Sequence, residues 1–329
     1  MLPFLLVAGT LAVVSEREID FKTPDGLTLK GTFLGAARNQ KSVRAILLLP
    51  GSGPTDRDGN QPGFKTDLLK GLSAALSEND VATFRFDKRA VRTNASQWPK
   101  ELQALDAFFS FENHLTDAEA ALECLRSQPG IDARHVGVAG HSEGGLIAMN
   151  VAAKLGTGKV SALALLSTAG RPLAVVLEEQ IGALLKRQTS DEAIQKDYLS
   201  NLRASIAFVE KSGTPPPDVL PGLKAIFSPG TSRYLQTILP LDPATLLPRY
   251  PGNVLVVQGA LDSQVSVTAD FPLLTKALKS RKRGHQTMVL VPGASHNFKT
   301  IEGANGTGIE GPILSEAVDG LVKWTRKSL

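Results

Sequence analysis

One stretch constrains this chain more than any other: Val136-Gly137-Val138-Ala139-Gly140-His141-Ser142-Glu143-Gly144-Gly145. Its β-branched, apolar start predicts a buried strand, and Leu146 to Ala153 has the length and residue types of a helix. Between them stands G-x-S-x-G, the pattern of a sharp strand-to-helix turn that pushes a serine out above the sheet edge. Gly140 and Gly144 suit such a turn because a side chain there would crowd it. Gly145 is expected to let the helix pack closely on the sheet. The amide of Glu143 opens the helix, so it should face a developing anion with the helix dipole behind it.

The rest of the chain alternates strands and helices around that turn. Glu18 to Thr23 and Leu27 to Phe33 flank Pro24-Asp25-Gly26, which predicts a β-hairpin. Arg44 to Leu49 is a continuous apolar run of the kind buried on both faces of a parallel sheet. A helix is expected over 67–78, a strand over 81–86, an irregular loop over 88–105, and a helix over 116–127 with Thr116 as N-cap and Glu119 three residues on. Ala162 to Ser167 predicts a further strand. The alternation then stops from Arg171 to Tyr250, where helical segments at 173–187 and 191–211 precede a proline-rich stretch. It resumes with strands at 253–258 and 287–291 and helices at 268–279 and 312–327. The expected architecture is a doubly wound, mostly parallel α/β sheet with an antiparallel entry hairpin. Residues 16–170 and 251–329 form its core, and 171–250 is a helical cap inserted between two strands.

Composition narrows the function classes. With 36 basic against 32 acidic residues the charge is too balanced to argue for nucleic acid, and the basic run Lys279 to Arg283 reads as a solvated loop. Cys124 is the only cysteine, so no internal disulfide or thiolate metal site is expected. Residues 2–14 are apolar but too short to span a bilayer comfortably. They read as the hydrophobic part of a secretory signal over residues 1–15, although no Lys or Arg precedes them. A periplasmic or secreted location is the expectation; the alternative is an N-terminal helix of a cytoplasmic protein. No stable membrane insertion is expected, and self-association is left open.

Partners for Ser142 should lie at the carboxyl ends of strands, where open parallel sheets bind ligands. Of five histidines, His141 is inside the turn, His114 precedes a predicted helix, and His135 and His285 begin strands. Only His296 follows the last strand on the productive edge. Asp262, just beyond the strand over 253–258, is the matching carboxylate, whereas Ser167-Thr168-Ala169-Gly170 supplies none. Ser142, Asp262, His296 is a known chain order for a serine nucleophile, its orienting acid and its base.

With those residues placed, the chain resembles the α/β-hydrolase superfamily over nearly its whole length. Gly51-Ser52-Gly53-Pro54-Thr55-Asp56-Arg57-Asp58-Gly59-Asn60 and Phe86-Asp87-Lys88-Arg89 are similar to loops of bacterial carboxylesterases related to its dienelactone-hydrolase and serine-aminopeptidase branches. Ala90 stands where such relatives often carry glycine, and Pro50-Gly51 where histidine-glycine is commoner. The resemblance implies hydrolysis of short- to medium-chain acyl esters as small-molecule substrates, with no cofactor and no metal. The oxyanion would be met by the amides of Glu143 and Ser52, with Gly53 the second choice. Aminopeptidase, amidase or acyl-thioesterase activity would use the same triad, and a non-catalytic binding module of this fold is the remaining alternative. Asp56, Arg57, Asp58, Asp87 and Arg89 are expected to form a salt-bridged scaffold near this edge.

Overall fold

A computed structural model describes residues 16–38, 42–303 and 306–329. The expected leader over residues 1–15 lies outside them. Eight strands form one sheet: β1 (Glu16–Lys22), β2 (Thr28–Leu34), β3 (Val43–Leu49), β4 (Val81–Phe86), β5 (Ile131–His141), β6 (Ala162–Leu166), β7 (Asn253–Gly259) and β8 (Gln286–Val291), in the order β1-β2-β4-β3-β5-β6-β7-β8. The first three neighbours pair as an antiparallel ribbon (β1·β2, β2·β4), and every pairing from β4 through β3 to β8 is parallel.

Burial explains the strand sequences. β6 (ALALL) is buried at every position, and in β3 (VRAILLL) all but Arg44 are buried. Alternate side chains enter two apolar layers. One holds Leu47, Leu49, Val138 and Leu165 with α3 (Phe111–Arg126) and α4 (Glu143–Leu155). The other holds Ile46, Leu48, Ala139 and Leu166 with α1 (Leu68–Glu78) and α10 (Ser315–Ser328). Each fully buried Leu or Ile contributes roughly 1.5–3 kcal/mol. With two layers to fill, continuous apolar strands are favoured over alternating ones.

Two expectations are corrected. Helix α3 begins at Phe111, not Thr116, and its cap is Ser110, whose Oγ accepts the Asn113 amide at 3.3 Å. Tertiary packing decides this, because Phe111, His114, Ala118, Leu122 and Leu125 share a buried face at helical spacing. Thr116 lies inside the helix and donates to the Asn113 carbonyl at 3.0 Å. The supposedly irregular stretch 88–105 also contains a 3₁₀ turn (Arg92–Gln97) and the start of α2 (Leu102–Phe108).

Between β6 and β7 come α5 (Leu173–Gln188), α6 (Glu192–Ser212), α7 (Ser232–Ile238) and α8 (Pro243–Leu246), with no described strand among them. Helices α5, α6 and α7 share a small core with Leu202, Ile206, Val209, Leu223, Phe227, Leu235 and Leu239, whereas Leu246 of α8 is buried in the layer that holds α3 and α4. The chain returns to the sheet at β7, followed by α9 (Asp270–Lys279). Among the described residues, no helix is long and apolar enough to cross a membrane.

Candidate active site

Strand β5 lies in the middle of the sheet between β3 and β6, with Gly140 level with Leu49 on one side and Leu165 on the other. Ser142 follows at φ 55, ψ −123, a backbone conformation rare for an L-residue, and its amide donates to the Leu166 carbonyl at 2.8 Å. Strain of this kind persists only where the surroundings over-determine it. Here they do: a Cβ on Gly144 would stand 2.5 Å from the Leu49 carbonyl oxygen and 2.6 Å from that of Pro50. Helix α4 therefore starts hard against the end of β3, and its first residue, Glu143, has no intrahelical acceptor for its amide. Gly145 packs against Thr168, just past β6, at a spacing no Cβ would tolerate.

Asp262 and His296 come together at the ends of β7 and β8. The His296 Nδ1 donates to the Asp262 Oδ2 at 2.7 Å. The same carboxylate accepts from Gln258 Nε2 at 2.8 Å and from the amides of Gln264 and Val265 at 2.8 and 2.9 Å. Burial alone would push the Asp262 carboxyl up, but the His296 ring and the two amides prevail and hold it below the usual range. A bond from Nδ1–H leaves the His296 Nε2 as the acceptor on the opposite side of the ring.

Ser142 and His296 line one cavity of about 220 Å³, together with Gly51, Ser52, Thr55, Gln61, Phe64, His141, Gln264, Asn297 and Ile309 among others. No hydrogen bond joins the Ser142 hydroxyl to His296 among the described residues. Such contacts are often long before substrate binds. A Cβ on Gly51 would lie 3.3 Å from the Ser142 Cβ, so the loop after β3 abuts the serine. Gly53, the second choice for the oxyanion amide, is not among the residues lining the cavity.

Sequence reasoning set His141 aside as a base, and the structure gives its ring a different place. Its Nε2 donates to the His296 main-chain carbonyl at 2.9 Å, and the two rings lie tilted at 56° with centroids 4.7 Å apart. Burial, with the neighbouring His296, lowers its pKa to about 3, so it is a neutral brace beneath the His296 loop. The expected acid–base group does not form one network: Asp56 accepts the amides of Asp58 and Asn60, and Asp58 pairs with Arg85. Arg57 pairs with Asp87 at 2.9 Å and Glu18 at 2.6 Å. Arg89 turns inward to Asp117 at 2.5 Å and Asp25 at 3.0 Å. Arg85, which the sequence reading did not single out, is buried in β4 and held by Asp58, Glu16 and Ser73. A charged residue in mid-strand was the available signal, since an unpaired one could not be buried there.

Among the described residues no cluster of acidic, histidine or cysteine side chains could hold a metal. The sequence matches the model of the alpha/beta hydrolase family over residues 46–300. The chain belongs to the alpha/beta hydrolase family. No curated protein matches the sequence of this hydrolase. Solved structures share its fold at low identity. They include DcsB in complex with its substrate analogue (16% identical, covering 96% of this chain and 100% of that one, TM-score 0.58). Est1E from Butyrivibrio proteoclasticus is 17% identical over 94% of this chain and 96% of its own, with a TM-score of 0.54. Dienelactone hydrolase from Anabaena variabilis is 15% identical over 96% and 99%, with a TM-score of 0.53.

Proposed function

We propose that this alpha/beta hydrolase is a serine carboxylesterase acting on short- to medium-chain acyl esters. The observation that carries the reading is the buried His296–Asp262 hydrogen bond in the loops beside Ser142, with histidine and serine lining one cavity. In this reading His296 Nε2 takes the Ser142 proton as Oγ attacks the ester carbonyl, and Asp262 fixes the tautomer and stabilises the imidazolium. The oxyanion is met by the Glu143 and Ser52 amides, each worth roughly 10²–10³ in rate. The tetrahedral intermediate collapses as His296 returns the proton to the departing alkoxide oxygen. Water, deprotonated by His296, then cleaves the acyl-enzyme and regenerates the serine.

The cavity lining favours an ester over an aminoacyl substrate. Apart from two imidazoles, the described lining carries no carboxylate to take an α-ammonium and no Lys or Arg to take an anion. A neutral acyl group suits such a surface, because an unpaired charge there would lose its hydration without compensation. Residues 171–250 are read as a cap, although none of them is among the lining residues.

Ser142→Ala is expected to lose about 10⁴–10⁶ of kcat on nitrophenyl esters with thermal stability kept. The native enzyme should label with a fluorophosphonate at Ser142. Retention of near-full activity would falsify the nucleophile assignment, and absence of labelling would favour a binding module. A panel of nitrophenyl esters, aminoacyl nitroanilides and acyl-CoA thioesters separates esterase from aminopeptidase and thioesterase.

A further inference from the structure

Lys88 follows β4, is only 4% exposed, and points its ammonium at one acceptor, the Gly51 carbonyl, at 2.5 Å. Its main chain is fixed as well: the Lys88 carbonyl accepts from the Val91 amide at 2.9 Å and from Asn94 Nδ2 at 3.0 Å. Burying a lysine on a lone carbonyl is costly, so the arrangement calls for a reason. Burial lowers the Lys88 pKa, and the Glu143 carboxylate acts against it.

The reason lies in the peptide that Lys88 holds. The Gly51 carbonyl and the Ser52 N–H belong to the same planar trans unit, so they point in opposite directions. Lys88 sits on the interior side and does not line the catalytic cavity, whereas Gly51 and Ser52 do. Anchoring the carbonyl inward therefore turns the Ser52 N–H outward, toward Ser142. The next peptide is anchored the other way. Its Ser52 carbonyl accepts from Thr55 Oγ1 at 2.6 Å and Gln61 Nε2 at 3.0 Å, both cavity-lining residues, which turns the Gly53 N–H away. A charged donor on one end of an amide also polarises it and strengthens the N–H at the other end.

Resting on the esterase reading above, we propose that Lys88 is a positioning residue for the oxyanion hole: through the Gly51 carbonyl it aims and strengthens the Ser52 amide as an oxyanion donor. The test is Lys88→Met, which keeps the length and apolar bulk and removes the donor. On a nitrophenyl ester, kcat should fall about 10- to 100-fold, short of the roughly 10²–10³ for losing a donor outright, with KM little changed. Binding of a trifluoromethyl ketone, which forms the oxyanion, should weaken by the same factor. Unchanged kcat, or a loss that tracks melting temperature and spares the ketone, overturns the proposal. The wild-type enzyme tests the amide through which Lys88 is proposed to act, whether or not the variant folds. On phosphonylation of Ser142, the ¹⁵N-labelled Ser52 amide proton should move downfield, and movement of Gly53 instead, or of neither, sinks the assignment. Failure of the native enzyme to label at Ser142 would remove the underlying esterase reading; labelling together with an unaffected Lys88→Met removes only the role of Lys88.

Discussion

The loops at the carboxyl end of the sheet and the helices of residues 173–246 hold their polar groups differently. In the loops, charges are taken inside and each is met: Arg57 by Asp87, Asp262 by His296, Gln258 and two amides, Lys88 by the Gly51 carbonyl. In the helices the shared interior is apolar, built from Leu202, Ile206, Val209 and their neighbours, and the Arg203–Glu178 pair stays largely in solvent. For the proposed reaction, charges already met and fixed suit attack on a carbonyl, because dipoles in place cost nothing to reorient. An apolar interior only needs to fill space. The two regions meet where Tyr234 of α7 faces Glu143, the residue after the serine; burial and that carboxylate push the Tyr234 hydroxyl well above its ordinary value.

The comparison breaks most visibly if a buried polar contact in the loops proves dispensable. Asp262→Asn keeps the shape of the site but presents an amide to the His296 ring and favours the wrong tautomer. It should lower kcat by about 10⁴, with KM nearly unchanged and the melting temperature shifted only slightly. Steady-state kinetics beside a thermal scan would decide; a loss below tenfold would mean that Asp262 does not orient the base.

A packing change in the helices should do the reverse. Leu202 is fully buried in their apolar core, and Leu202→Ala should cost about 2–5 kcal/mol of stability. Because no residue of 171–250 is among those lining the cavity, kcat at 25 °C should stay within about threefold. Urea unfolding and esterase assays on the same preparation test both halves. A loss of kcat comparable to that of Asp262→Asn would show that the helices shape the reacting site.

This contrast also explains what could be read from the chain alone. The turn at Ser142, the parallel strands and the pairing of Asp262 with His296 follow from local signals: glycine where backbone approaches backbone, continuous apolar runs, and residues just past strand ends. The polar interior of the loops does not. Arg85 reads as an ordinary charged residue until β4 is known to be covered on both faces, and its partners Glu16 and Asp58 lie 69 and 27 residues away. The start of α3 is hidden from the sequence for a similar reason. Thr116 offers a stronger local cap than Ser110, and only the burial of Phe111 against the sheet extends the helix backward.

Acid should separate the two regions by a smaller margin. Every histidine lies outside 171–250, and burial lowers the pKa of both His114 and His141 to about 3. Their unfolded values lie near 6.5, so the unfolded chain takes up protons first as pH falls. The stability present above about pH 6.5 is then lost down to about pH 3, at up to about 1.4 kcal/mol per pH unit for each imidazole. Asp117 works the other way. Burial, with Arg89 opposing, raises it to about 6, and protonation in the folded state offsets about one imidazole's share between roughly pH 6 and 4. Trp98 and Trp324, the only tryptophans, also lie outside the helices, so their fluorescence reports on the sheet and its loops. The urea midpoint followed by that signal should drop from pH 6.5 to 4, and His114→Gln should make the drop shallower. A midpoint that is flat across this range, or a slope indifferent to His114, would show that the buried imidazoles do not set the acid stability of the sheet.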